Sequence, residues 1–170
     1  MNRARRRLAR SGRGIALPVV LVIASMMLVT SSAWFEASLL ESRNANLVAD
    51  HLLAFHAADA ALSLCTGALV NGSLSVPSPS QSGEPDGWRQ QATFEAEAIA
   101  PVSTWPVSVR PPRCLVEPWR VDSRPAVRVY VITARGFGAS DDTQSWLQVQ
   151  VVFDGSHVER HWRRIVARPF

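Results

Sequence analysis

From Ile15 to Phe35 the chain carries no charged residue. These twenty-one residues, rising 1.5 Å each as a helix, reach roughly 30 Å, the depth of a bilayer's hydrocarbon. Six arginines (Arg3, Arg5, Arg6, Arg7, Arg10 and Arg13) precede the run with no acid among them, and Glu36 comes directly after it. That asymmetry predicts a cytoplasmic N-terminus with the remainder outside. Pro18 falls in the first turn, where its missing N–H has no helical partner to lose, so it does not count against a helix. Two other readings fit the run by itself. One is a plain signal anchor; the other is a secretory signal peptide, because Ser31 and Ala33 are small residues at the spacing a signal peptidase accepts.

Residues 36–65 weaken both. "EASLLESRNANLVADHLLAFHAADAALSLC" has no proline or glycine and is rich in Ala and Leu, good helix formers. Val48, Leu52, Phe55, Ala58, Leu62 and Cys65 recur every three or four residues, which predicts one apolar face. The expectation is a single helix of some fifty residues, apolar all round in its first part and amphipathic in its second. A signal peptide would be cut away and has no reason to continue into such a helix.

The net charge of +4 invites a nucleic-acid reading, but the position of the charge opposes it. Beyond Gly14 there are twelve arginines against fourteen acids, a balance of −2. A protein that wraps phosphates carries its basic groups on the folded body; here many sit on a leader, so no nucleic acid is expected on the body. Cys65 and Cys114 are too few for a zinc site and lack CxxC spacing. In an oxidising compartment they could close one disulfide, whose loop of about fifty residues would stabilise by about 4 kcal/mol. In a reducing one they are two small apolar groups.

The remainder, 66–170, reads as a globular head. "SVPSPSQSGEPDGW", residues 75–88, is a surface loop by composition. "FEAEAIA", residues 94–100, alternates weakly and is expected to be a first strand; Pro101, Pro106, Pro111 and Pro112 exclude a central strand after it. The stretch 66–118 is otherwise expected to be loop. "AVRVYVITAR" alternates with Val127, Val129, Val131 and Thr133 on one face and Arg128, Tyr130 and Ile132 on the other. With "GFGASDD" as the turn and "WLQVQVVF" as the return, it predicts an antiparallel hairpin, and "HVERHWRRIVARPF" a last, basic strand. A bond from Cys65, at the end of the helical stripe, to Cys114, ahead of the hairpin, would tie helix to sheet.

These residues resemble a family. An arginine-rich leader ending in glycine, an apolar stretch and a continuing amphipathic helix resemble type IV pilins and pseudopilins. "ESRNANLVADHLLAFHAADAAL" is similar to the N-terminal region of PilX-type minor pilins, with their "AFxAAxAAL" pattern. "VYVITARGFGASDDTQSWLQVQVVF" is similar to the C-terminal part of the same family. The resemblance implies an α+β, pilin-like fold: leader 1–14, transmembrane segment 15–35, amphipathic helix 36–65, and a periplasmic head with hairpin and strand over 126–168. It also implies cleavage by a prepilin peptidase after Gly14 and methylation of the new amine on Ile15. Most pilins carry a glutamate five residues into the mature chain; here that place is Val19. A lone carboxylate in hydrocarbon is costly, and the family's members without it are minor components. The implied partners are the major pilin, other minor pilins, the inner-membrane assembly platform and the peptidase, and the implied location is the inner membrane and then the pilus. A minor pseudopilin of a type II secretion system and a pilus-associated adhesin are the alternatives.

No active site is read from the residues, and no cofactor. His157, Glu159 and His161 alternate as a metal trio would, but Arg160, Arg163 and Arg164 crowd them, and a solvated edge strand accounts for them. Asp141 and Asp142 are ordinary turn acids. Trp34 stands where a helix leaves a bilayer; of Trp88, Trp105, Trp119, Trp146 and Trp162, most are expected in the core and one or two exposed as anchors. The processing expectation has a direct test. Intact-mass analysis should find a chain beginning at methylated Ile15 only in cells that contain the prepilin peptidase. A start at Trp34, or an unprocessed chain with and without the peptidase, rules the pilin reading out.

Overall fold

The computed structural model describes residues 16–77, 83–165 and 167–170. The chain divides into two compact units, Met1–Asn46 and Leu47–Phe170. Helix α1 runs Ala16–Val70 through both. It is long and apolar enough in its first part to cross a membrane. Every described residue of the first unit is exposed. Three hydroxyls within this apolar part are satisfied inside the helix: Ser25 donates to the Val22 carbonyl at 2.8 Å, Thr30 to Met26 at 3.0 Å and Ser32 to Val29 at 2.8 Å. None of the three needs water.

Helix α1 ends where glycine permits. Gly72 takes φ +72°, and the chain reverses through two bonds, Gly72 N–H to the Leu69 carbonyl and Ser73 N–H to the Ala68 carbonyl. A 3₁₀ turn at Gly87–Arg89 and a short helix α2 at Gln91–Glu97 come next. Four strands then form a meander in the order β1-β2-β3-β4: Arg113–Trp119, Arg128–Phe137, Gln144–Asp154 and His157–Arg163. All three pairings are antiparallel.

The sheet is covered on both faces. On one, Ala61, Leu62, Cys65 and Leu69 of α1 bury Cys114, Ile132, Ala134, Val149 and Val151. On the other, Trp88, Phe94, Ala98 and Leu115 form a second cluster with Trp146, Ile165 and Phe170 packed on it. The alternation holds from Arg128, but from Val131 onward residues on both faces are buried because both faces are covered. Cys65 and Cys114 are bonded, with Cα atoms 6.6 Å apart, and link the end of α1 to β1.

Three expectations change. The buried seam of α1 is Ala54, Ala57, Ala58, Ala61, Leu62, Cys65 and Leu69, while Val48, Leu52 and Phe55 are exposed. The expected stripe steps 3.4 residues on average, short of the helix's 3.6, so it drifts by about 100° over its length and only its last half meets the sheet. Residues 94–97, expected as strand, are helical: Phe94 and Ala98, four apart, are both buried, and Ala and Glu favour helix. Ile99 alone pairs, with Cys114. Strand β1 lies within the stretch expected as loop, and its Pro118 sits near the end of a strand at the sheet's margin, where a missing N–H is tolerated.

The closest approach of helix to sheet is at Gly136. A Cβ there would overlap the Ala54 carbonyl and the Ala58 nitrogen and lie 2.9 Å from the Ala57 Cβ. Gly138 is similarly close to the Asp50 carboxylate, which accepts the Ala139 N–H. Gly136→Ala should therefore lower unfolding stability by about 1–3 kcal/mol through overpacking. Gly67→Ala, in the helix with open space around it, should raise it by about 0.5–1 kcal/mol. Denaturant titration of the full chain in detergent measures both, and equal effects of the two changes would contradict the close-packed seam.

Candidate interaction surface

The apolar run makes the first unit an exposed hydrophobic surface. Leu17, Leu28 and Val29 are each about 70% exposed, and Val19 about half. Trp34 is 78% exposed at the end of the run, where charged residues resume. In the second unit the outward side of α1 carries Leu47, Val48, Leu52, Phe55 and Leu64, all exposed. A few scattered apolar residues on a surface need no explanation, but a file of large ones on a single helix is an exposed apolar face. The same residues that fail to line the seam thus form the outer face.

Behind this surface the sheet is held by polar groups that sequence reading misses. Arg135 of β2 is only 4% exposed. Its guanidinium lies 4.9 Å from the Phe94 ring, 4.8 Å from Phe137, 5.3 Å from Trp146 and 5.6 Å from Phe170. It donates to Glu95 Oε1 at 2.5 Å, and Glu95 also receives Arg113 at 2.6 Å. Burial would raise the Glu95 carboxyl, but the Arg135 hydrogen bond and the charges of Arg135 and Arg113 outweigh it and hold the group below its ordinary range. Burial pulls the Arg135 guanidinium down, against the upward pull of Glu95. On the helix side, hydrogen bonds from Thr143 and the Ala139 N–H hold Asp50 low, which fixes the β2–β3 turn to α1.

Glu117 of β1 behaves oppositely. It is 9% exposed and its Oε2 accepts the Trp88 N–H at 3.2 Å, anchoring the 3₁₀ turn. Burial pushes its carboxyl up to about 7; the charges of Asp86 and Glu97 add to this and the N–H groups of Gly87 and Trp88 oppose it. The signal for such a residue, an acid at an inward position of "CLVEPW", is present in the sequence but needs the strand to be recognised first.

Of the residues singled out from sequence, Gly14 and Ile15 lie outside the described residues. Val19 is on the exposed apolar part of α1 and Cys65 is bonded to Cys114. His157, Glu159 and His161 share one face of β4 and are exposed; His161 Nε2 is 3.3 Å from Glu159 Oε2. The described residues contain no group of three His, Cys, Asp or Glu placed to hold a metal ion. Asp141 forms an ion pair with Arg110 at 2.7 Å across the turn. Trp88 is buried, whereas Trp162 is 66% exposed on β4. No protein-family model, curated protein or solved structure matches the chain.

The Glu117 environment sets a pH dependence. Its folded-state pKa exceeds the unfolded value of 4.5, so the folded state binds the extra proton and stability from this group grows as pH falls from about 7 to about 4.5. Glu95 and Asp50, held low, act in the reverse sense only below that window. Glu117→Gln should flatten the rise between pH 7 and 5 and leave the more acidic limb unchanged. Unfolding free energies measured across pH 4–8 decide it; an unaltered rise in the variant assigns the dependence elsewhere.

Proposed function

We propose that this chain is a minor pilin of the PilX type, a structural subunit that primes or joins a type IV pilus. The observation that carries the reading is the division of labour along α1. Its first part is an apolar helix exposed on all sides, and its last part is stapled by a disulfide to a four-stranded antiparallel sheet. In this reading the first part rests in the inner membrane, N-terminus cytoplasmic, until the assembly platform extracts it. It then packs among the helices of the major pilin and other minor pilins. Because lipid tails are already as apolar as the helix, close van der Waals packing drives association of this part, while Leu47, Val48, Leu52 and Phe55, exposed in the second unit, add burial from water at roughly 25 cal/mol per Å². The head supplies contacts to neighbouring heads. The leader is removed by the prepilin peptidase at Gly14.

Val19 supports a minor place in the assembly over a major one. A subunit that offers no carboxylate in the apolar helix bundle has no neighbour's amine to neutralise, and suits a minor position. Val19→Glu should then lower piliation and the amount of this subunit in sheared pili, because an unpaired carboxylate in the bundle is costly. Val19→Ala, which removes volume without adding charge, should have a much smaller effect. Wild-type piliation with Val19→Glu, and more of the subunit in the shaft, would overturn the assignment.

A further inference from the structure

On the face of the sheet away from α1, between the 3₁₀ turn and the segment after β4, lies a recess of about 330 Å³. Trp88, Arg89, Gln148, Arg163, Arg164 and Arg168 line it. Four arginines in one small recess are unexpected in a body whose net charge beyond Gly14 is −2. Among the described residues, Glu84, on Arg163, is the one side-chain carboxylate bonded to any of them, and Arg168 donates to the main-chain oxygen of Phe170. Arg89, Arg164 and Arg168 therefore have no side-chain carboxylate partner among the described residues. Arg89 is held in place by stacking, its guanidinium 4.7 Å from the Trp88 ring centre.

Two of the four buried side-chain donors without a partner among the described residues belong to this recess. Trp88 is 7% exposed, and its indole Nε1–H has no hydrogen-bond partner; the Nη1 of Arg163 is likewise buried and unpartnered. Buried donors left unpaired are costly and infrequent. Both belong to side chains that line the recess, and indole and guanidinium groups donate without accepting.

We propose that this recess binds a phosphoryl group. The occupant must be an acceptor, because the orphaned groups are donors. A doubly charged group suits three arginines without a carboxylate partner better than a single carboxylate does. A phosphate monoester meets both demands, with several oxygens to receive guanidinium forks and the indole N–H. The recess is too small for an extended polymer and accommodates a phosphoryl group with a short substituent. Such a group comes either from a soluble phosphate or from a lipid headgroup.

The full chain in nonionic detergent and phosphate-free buffer is titrated with inorganic phosphate, with dihexanoyl phosphatidic acid and with acetate, by calorimetry. Saturable binding of a phosphoryl ligand is expected, with acetate weaker by about tenfold or more. Tighter binding of the lipid assigns the headgroup as source; equal or tighter binding of inorganic phosphate assigns the soluble form. Replacing both Arg89 and Arg164, which are exposed at the rim, by Gln should weaken binding by about tenfold or more. Arg160→Gln, on β4 but outside the recess, should leave it unchanged. In the wild-type chain the Trp88 indole N–H resonance, assigned with Trp88→Phe, should shift on phosphate addition. No saturable binding, equal binding of acetate, equal loss in Arg160→Gln, or an unmoved indole resonance would each overturn the proposal.

Discussion

The head depends on how closely a helix can lie on a strand. Helix α1 meets the sheet through Ala54, Ala57, Ala58 and Ala61, and β2 answers with Ala134 and Gly136. Only small side chains on one side and no side chain on the other allow backbone to approach backbone at Gly136. The rest of that face depends on this contact. Asp50 reaches the β2–β3 turn, and Cys65 comes within bonding distance of Cys114. Near Gly136 the larger residues Val48, Leu52 and Phe55 are turned outward, and only farther along the helix do Leu62 and Leu69 enter the core.

The opposite face is organised by charge. Arg135 occupies the centre of an aromatic cluster that would otherwise be an ordinary apolar core, and Glu95 brings the matching carboxylate from α2. A guanidinium among four rings recovers part of its lost hydration through their faces, and the ion pair supplies the rest. This gives α2, seven residues long and unable to persist by itself, a fixed place. Glu117 does the corresponding work for the 3₁₀ turn through the Trp88 N–H.

What can be read from the sequence is what is written in neighbouring residues. The uncharged run, the helix that continues it and the alternating hairpin are periodic or compositional, while the last strand, expected to run on to about 168, ends at Arg163. The first half of the α1 seam is misplaced because the expected stripe drifts around the helix and the close approach there admits only alanine: the alanines look like helix filler, and Val48, Leu52 and Phe55 look like core. Phe94 to Ala98 suggests a period of two, yet its burial repeats at four. Strand β1 hides behind Pro111, Pro112 and Pro118. The groups with the strongest interactions, Arg135, Glu95 and Glu117, have partners 18 to 40 residues away, and the arginine recess gathers its lining from three separate segments. No local pattern announces such a meeting.

Cys114 is bonded to Cys65 and also exchanges both backbone hydrogen bonds with Ile99, at 2.8 and 2.9 Å. Two excursions of the chain, one from Cys65 to Ile99 and one from Ile99 to Cys114, therefore return to the same point on the sheet. A loop rooted in this way can gain or lose residues at a cost that grows only with the logarithm of its length, without moving the strands that bear its ends. The segment around Ser103 to Val107, largely exposed, is thus free to diverge in length between related chains. The seam at Gly136 has no such freedom, because a single added methyl group there meets backbone.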